Sequence, residues 1–207
     1  MSALTFGQRV DHSALCLVER YETKAVVKLL VKYPLGTGYP LVMKTVADMY
    51  KSVSQQGEVV SFTCDATGVG TVPASMLQEV LPDVRIEAYI FTNQRKRELV
   101  GKVKVMHSFG RLKFAVRRGE EVYNRTLHEL ITEMKQVQAK VIREDSNNPE
   151  IEIFKTGQHD DLFTALALAV KDIRFEEGWN ELVGFIEDKT WAKSPLTSNP
   201  PPEVLFF

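Results

Sequence analysis

Residues 159–170 read His-Asp-Asp-Leu-Phe-Thr-Ala-Leu-Ala-Leu-Ala-Val, and this stretch is the clearest structural signal in the chain. From Leu162 onward the residues are apolar on nearly every side of a helix, a pattern typical of a helix that is buried all round. Such a helix needs a sheet and other helices to surround it. Residues 158–170 are therefore predicted to form a central helix, with Asp160 and Asp161 close to its start.

The chain before this helix alternates between strand and helix patterns. Short apolar runs predict strands, the first two of them joined as a hairpin, at 14–19, 24–30, 59–64, 84–91, 112–116 and 150–154. Apolar residues at helical spacing predict helices at 40–55, 71–80, 94–107 and 126–141. The last of these carries a capping-box spacing at Thr126 and Glu129, which predicts its start. Strands and helices that alternate after a hairpin predict an α/β fold with a mixed sheet.

The composition is that of an ordinary globular domain. The 207 residues carry a net charge of −1, with 44% hydrophobic and 26% charged residues. Residues 1–174 are predicted to form one domain, and 175–207 an extension with a proline-rich tail. Two cysteines are too few for a disulfide framework. The sequence contains no run of 18 apolar residues, so no membrane span is predicted. The N-terminus lacks a signal-peptide pattern, so a cytoplasmic protein without membrane association is expected.

Positive charge is concentrated in the middle of the sequence. Residues 95–118 contain nine lysines and arginines against one acid, Glu98. Such a segment is either a solvated helix face or a surface for a phosphate backbone. The residues selected as candidate DNA-binding residues are Arg95, Lys96, Arg97, Lys102, Lys104, Arg111 and Lys113. No nucleotide cofactor is predicted, because Met43 stands where a phosphate-binding loop needs glycine before its lysine.

Four acidic residues stand at the ends of predicted elements: Asp11, Asp65, Asp160 and Asp161. Taken singly, each has an ordinary structural role, as a turn residue or as a helix cap. Taken together, crowded carboxylates repel one another unless a cation lies between them. Oxygen ligands of this type hold Mg²⁺ or Mn²⁺, and a pair of such ions is the arrangement used to hydrolyse phosphodiesters. His159 precedes the acidic pair and is a candidate accessory residue that orients an acid or contacts phosphate.

Three motifs resemble those of the nuclease domain of viral large terminase subunits. Asp65-Ala-Thr-Gly-Val-Gly after an apolar strand resembles the second acidic motif of that family. Residues 157–169, with His-Asp-Asp opening an Ala/Leu-rich helix, resemble the third. Residues 6–15, Phe-Gly-Gln-Arg-Val-Asp-His-Ser-Ala-Leu, resemble the first. The resemblance extends over about residues 3–172.

This resemblance implies an RNase H-like fold and metal-dependent endonuclease cleavage of double-stranded DNA during genome packaging by a bacteriophage or prophage. It implies a two-metal site with Mg²⁺ or Mn²⁺, in which Asp65 bridges both ions. Asp161, with Asp160 beside it, completes the site from the helix. Asp11 matches a second acid that follows the first motif in family members. The partners implied are DNA, a terminase ATPase domain, the small terminase subunit and the portal.

The sequence departs from the family pattern at Thr5, where the first catalytic aspartate of the family stands. A threonine hydroxyl is a poor substitute for a metal-bridging carboxylate. Three outcomes stay open: Asp11 takes over the role, the site binds metal weakly, or the site is degenerate. Two other functions therefore stand beside the terminase nuclease. One is another RNase H-like nuclease, such as a Holliday-junction resolvase, and the other is a catalytically inactive module for DNA binding or packaging.

Overall fold

A six-stranded mixed sheet forms the centre of the molecule, and its strands lie in the order β5-β4-β1-β2-β3-β6. The computed structural model describes residues 1–7, 11–22, 24–55, 61–67, 71–115, 117–143, 150–155 and 159–174, with the backbone alone for 138–143 and 150–155. The strands of the central sheet are β1 (Ser2–Thr5), β2 (Ala14–Tyr21), β3 (Lys24–Lys32), β4 (Phe62–Asp65), β5 (Ile86–Tyr89) and β6 (Leu112–Phe114). A separate antiparallel pair contains β7 (Val137–Arg143) and β8 (Glu150–Lys155).

The five helices are α1 (Tyr39–Ser54), α2 (Thr71–Val80), α3 (Asn93–Ser108), α4 (Glu121–Gln136) and α5 (Asp161–Ala169). Helices α1 and α2 cover one face of the central sheet, where their apolar residues pack against Leu4, Leu15 and Phe62. Helices α3, α4 and α5 cover the opposite face over Ala3, Ala14 and Cys16. Each strand alternates its side chains between these two helical layers, so both faces of the sheet are buried. The predicted α/β fold with a mixed sheet is confirmed.

Strand β1 lies in the middle of the sheet, although the sequence pattern did not reveal it. It pairs antiparallel with β2 and parallel with β4, and all four of its residues are buried. A four-residue strand at the chain terminus is too short to show a clear alternation. Because β1 precedes the hairpin, Asp11 lies in the connection between β1 and β2 and not before the first strand.

Helix α5 is buried as its sequence predicts. All its residues except Thr164 are buried, and Leu162 and Leu166 have no exposed surface. The helix packs against β1, β2 and β4 on one side and against α3 and α4 on the other. Its position directly over the central strands brings its first residues to the edge of the sheet where β1 and β4 end.

Both ends of α4 differ by five residues from the sequence prediction, and α5 begins at Asp161 and not at residue 158. Helix α4 begins at Glu121, so Thr126 is no cap but an interior residue whose hydroxyl donates to the Val122 carbonyl at 3.0 Å. The helix ends at Gln136, and Val141 belongs to strand β7. The apolar spacing continued from α4 into β7, and it concealed the change of structure. The predicted extension at 175–207 lies outside the described residues.

No helix in the described ranges combines the length and the apolar character that crossing a bilayer requires. Both cysteines are buried and unpaired. Burial raises the pKa of the Cys16 thiol to about 12, so this thiol stays protonated at neutral pH.

We predict that Leu166→Ala destabilises the fold by about 2–5 kcal/mol, because it opens a cavity in the layer between α5 and the sheet. Equilibrium urea unfolding measures this change in the free energy of unfolding. The matched control is Val122→Ala on α4, where the wild-type residue is 78% exposed, and its effect should stay below about 0.5 kcal/mol. Equal effects from the two variants would contradict the central position of α5.

Candidate metal centre

Three side chains of types that can ligate a metal converge at the start of α5. One ligand atom from each of Asp11, His159 and Asp161 lies within 4.8 Å of the other two. Asp11 comes from the β1–β2 connection, whereas His159 and Asp161 flank Asp160, the N-cap residue of α5. Asp11 lies at least 148 positions from the other two residues in sequence. It meets them because α5 packs over β1 and β2.

Asp161 is the most deeply buried member of this group, at 7% exposure. Its Oδ2 accepts a hydrogen bond from the His12 backbone N–H at 3.1 Å, which ties the β1–β2 connection to α5. Burial raises the pKa of Asp161, and the negative charges of Asp11 and Asp160 raise it further, whereas the His12 bond opposes the shift. A cation among these carboxylates would relieve the repulsion that disfavours their ionised form.

Within the described structure, His159 has a ring nitrogen without a hydrogen-bond partner close to Asp161. Its Nδ1 is buried and has no hydrogen-bond partner among the described residues, and it lies 3.8 Å from Oδ2 of Asp161. The imidazole packs edge to face on His12, with ring centroids 4.9 Å apart. The His12 ring is itself held, because its Nδ1 donates to the Tyr33 carbonyl at 2.8 Å. The unpartnered Nδ1 lies beside two carboxylates and is free to bind a metal ion. These residues therefore fit a divalent cation.

Thr5 contributes structure at the position where a carboxylate was expected. It is 4% exposed, and its hydroxyl accepts from the Ala14 N–H at 3.1 Å and donates to the Ala14 carbonyl at 3.4 Å. These bonds extend the pairing of β1 with β2. The hydroxyl is therefore occupied by the backbone, and the negative charge at this edge comes from Asp11 and the acids of α5.

Asp65 ends β4 on the side of the sheet that faces α5. Leu4 of β1 pairs with Cys64 of β4, so Thr5 and Asp65 follow at the same level of adjacent parallel strands. Phe62 and Cys64 pack toward α1 and α2, and alternation therefore directs Asp65 to the opposite face. Its Oδ1 accepts from the Thr67 N–H at 2.8 Å, the local turn bond that its sequence context allowed. Within the described part of the chain, Asp65 lies outside the three-residue group of Asp11, His159 and Asp161.

Asp160 occupies the N-cap position of α5, yet its carboxylate makes no capping bond to that helix in the described structure. Its Oδ2 lies 3.7 Å from Nζ of Lys96, on the first turn of α3. This ion pair joins the acidic group to the basic segment, two features that the sequence analysis treated separately.

Glu133 and Lys32 support the start of α5, and sequence reasoning missed both. Glu133 on α4 is 5% exposed and accepts the Phe163 N–H through Oε2 at 2.9 Å, so it caps the helix in place of Asp160. Lys32 on β3 lies 3.6 Å from the other Glu133 oxygen and donates to Glu129 at 3.0 Å. The only signal in the sequence was a glutamate on the apolar side of α4, next to Leu130 and Met134.

The candidate DNA-binding residues occupy two different environments. Arg95 is exposed on the first turn of α3, and its guanidinium lies over the Tyr89 ring and donates to the Ile90 carbonyl. Lys96, Arg97, Arg111 and Lys113 are partly exposed. Lys102 and Lys104 are instead buried, each at 7% exposure, and Lys102 donates to the Lys171 carbonyl. Burial also lowers the pKa of both lysines, that of Lys102 to about 8. Because their side chains are buried, these two lysines do not contribute to an exposed basic surface, contrary to the sequence prediction.

The fold belongs to a known class of structure. The sheet order and its helical layers are those of an RNase H-like fold, as the sequence motifs implied. No protein-family model matches the chain, and no curated protein matches it in sequence.

The solved structures with this fold include nuclease domains of large terminases. The large terminase nuclease from thermophilic phage G20c superposes with a TM-score of 0.57 at 16% identity, over 83% of this chain and 80% of that one. The human cytomegalovirus terminase nuclease domain gives a TM-score of 0.57 at 13% identity, over 82% and 81%. The nuclease domain of the bacterial virus Sf6 large terminase subunit gives 0.53 at 14%, over 81% and 86%. At these identities the similarity establishes the fold.

We predict that Glu133→Gln removes a pH-dependent loss of stability. Burial raises the pKa of Glu133 from 4.5 to about 7 in the folded protein. The folded state therefore favours the protonated form, and stability present below pH 4.5 is lost as pH rises through 7. Glutamine keeps an oxygen for the Phe163 N–H and carries no charge. Between pH 4.5 and 7, the free energy of unfolding of the variant, measured in EDTA, should rise relative to that of the wild type by about 3 kcal/mol.

The control for this experiment is Glu121→Gln, an exposed glutamate at the start of the same helix. Parallel stability–pH curves for the wild type and Glu133→Gln would show that ionisation of Glu133 carries no cost in the folded protein.

Proposed function

We propose that this protein is a divalent-metal-dependent endonuclease that cleaves double-stranded DNA during viral genome packaging, as the nuclease domain of a large terminase subunit. The observation that carries the proposal is the convergence of Asp11, His159 and Asp161 at the edge of the sheet where β1 and β4 end. Open α/β sheets place their ligands at the carboxyl ends of their parallel strands. An RNase H-like fold with carboxylates collected at that edge suits hydrolysis of a phosphodiester.

Asp11 and Asp161 hold the cation in this proposal, with His159 beside them and Asp65 directed to the same face from β4. Mg²⁺ and Mn²⁺ are the candidate ions. When bound, divalent cations supply an activated water and a positive charge that stabilises the leaving 3′ oxygen. Structures of the G20c nuclease with bound magnesium and of the cytomegalovirus domain soaked in manganese support the choice of metal, although they describe those proteins.

The chain's own residues prepare this site before any ion binds. The His12 N–H fixes one oxygen of Asp161, and Glu133 fixes the helix turn that carries this carboxylate. Lys96 opposes the charge of Asp160 and extends the site toward the first turn of α3. Arg95, Lys96 and Arg97 are then placed to hold the phosphate backbone beside the carboxylates. Contacts of this kind position DNA without reading its bases, so cleavage is expected to be nearly independent of sequence.

The biological setting follows from the kind of protein whose fold this chain shares. We propose that it works in the host cytoplasm beside a terminase ATPase domain, the small terminase subunit and the portal. Thr5 favours one alternative, a catalytically inactive module that binds DNA or packaging components, because no carboxylate occupies that strand position.

We predict that Asp161→Asn and Asp11→Asn each abolish metal-dependent nicking and linearisation of plasmid DNA. Each change removes a negative charge from the group that holds the cation while it keeps the shape of the side chain. The loss expected for a metal ligand is at least about a hundredfold in rate. The assay compares Mg²⁺, Mn²⁺ and EDTA, with thermal unfolding to show that the variants fold.

Asp48→Asn is the matched control, since Asp48 is exposed on α1. Full activity of Asp161→Asn would exclude the proposed metal centre. Absence of cleavage by the wild type at every metal concentration, with DNA binding intact, would select the inactive module.

We predict that combined replacement of Arg95, Lys96 and Arg97 by alanine weakens DNA binding and reduces the slope of log affinity against log salt by about 2–3. Each phosphate contact releases counterions, so loss of three cations lowers the number released. Binding of a labelled duplex at several salt concentrations measures the slope. The control replaces exposed Lys44 and Lys51 of α1, on the other face of the sheet, and should leave the slope unchanged.

A further inference from the structure

The candidate metal centre contains a histidine nitrogen in addition to carboxylate oxygens. The β1 position is occupied by Thr5, whose hydroxyl is engaged by both backbone groups of Ala14. Asp65 lies outside the converging group in the described structure and bonds its own turn. The three ligand atoms that do converge are two carboxylate oxygens, from Asp11 and Asp161, and one imidazole nitrogen, from His159.

His159 contacts the His12 ring and lies near Asp161, but its buried Nδ1 makes no hydrogen bond to any described residue. Its Nδ1 is buried without a hydrogen-bond partner in the described part of the protein, and 3.8 Å to Asp161 Oδ2 is too long for a hydrogen bond. Burying an unsatisfied polar nitrogen costs stability. The His12 ring holds the imidazole edge to face, and the Tyr33 carbonyl holds the His12 ring. The orientation of the His159 imidazole is therefore fixed by its contact with the His12 ring, which is itself hydrogen-bonded.

We propose that His159 is a direct metal ligand and that its nitrogen makes this centre select first-row transition-metal dications over Mg²⁺ and Ca²⁺. The inference rests on the proposed function and names the cation class of that site. Mg²⁺ and Ca²⁺ are hard ions that prefer oxygen ligands throughout. Imidazole favours transition metals, and affinity for them rises from Mn²⁺ to Co²⁺ at a given site. Asp11 and His159 together replace the ligand that Thr5 does not provide.

The test measures metal binding itself, by calorimetry of the full chain with Co²⁺, Mn²⁺, Mg²⁺ or Ca²⁺ as the only probe. The wild type should bind Co²⁺ and Mn²⁺ more tightly than Mg²⁺. His159→Asn should weaken Co²⁺ and Mn²⁺ binding by about tenfold or more and change Mg²⁺ binding by less than about threefold. His159→Asp converts the centre to oxygen ligands alone, so the ratio of Co²⁺ to Mg²⁺ affinity should fall while Mg²⁺ still binds.

His128→Asn is the matched control, because His128 is exposed on α4 and its loss should alter no affinity. Thermal unfolding of each variant in EDTA confirms that it folds. Unchanged Co²⁺ selectivity in folded His159→Asn, with binding lost in Asp161→Asn, would overturn the role of His159 and leave the proposed nuclease centre intact. If Asp161→Asn also binds every cation as the wild type does, the metal centre and the proposed function both fail.

Discussion

The burial of α5 is the constraint on which the rest of the molecule depends. A helix that is apolar all round is stable only where other elements cover every side, and here β1, β2 and β4 cover one side while α3 and α4 cover the other. That position leaves only the first residues of the helix at the edge of the sheet. Asp160 and Asp161, at the start of the helix, therefore lie where β1 and β4 end.

Two adjacent acidic residues repel each other at this position, and hydrogen bonds and ion pairs from several elements stabilise them. The His12 N–H bonds Asp161, Lys96 approaches Asp160, and Glu133 caps the helix turn with Lys32 behind it. These contacts come from the β1–β2 connection and from α3, α4 and β3. Burial, together with the neighbouring charges of Asp11 and Asp160, still raises the pKa of Asp161. An edge that gathers carboxylates more closely than its own cations neutralise is suited to an external cation.

Thr5 stands in β1 at the position where the motif resemblance implies an aspartate. The hydroxyl bonds both backbone groups of Ala14, so β1 remains paired at the centre of the sheet. In the proposed metal centre, Asp11 on the adjoining connection and His159 supply ligands at this edge. The alternative in which Asp11 takes over the role of the missing acid is therefore the one that the geometry favours.

The class of fold and the central helix are predictable from the sequence, because strand and helix periods and the apolar run after Asp161 are local properties. The sequence also indicates Asp11, Asp160, Asp161 and His159, whose placement before apolar elements is visible without coordinates. The central position of β1, the burial of Lys102 and Lys104 and the capping of α5 by Glu133 emerge only when the chain is folded. Each of these depends on which faces of distant elements meet. Packing creates such contacts between residues far apart in the chain, and no local pattern records them.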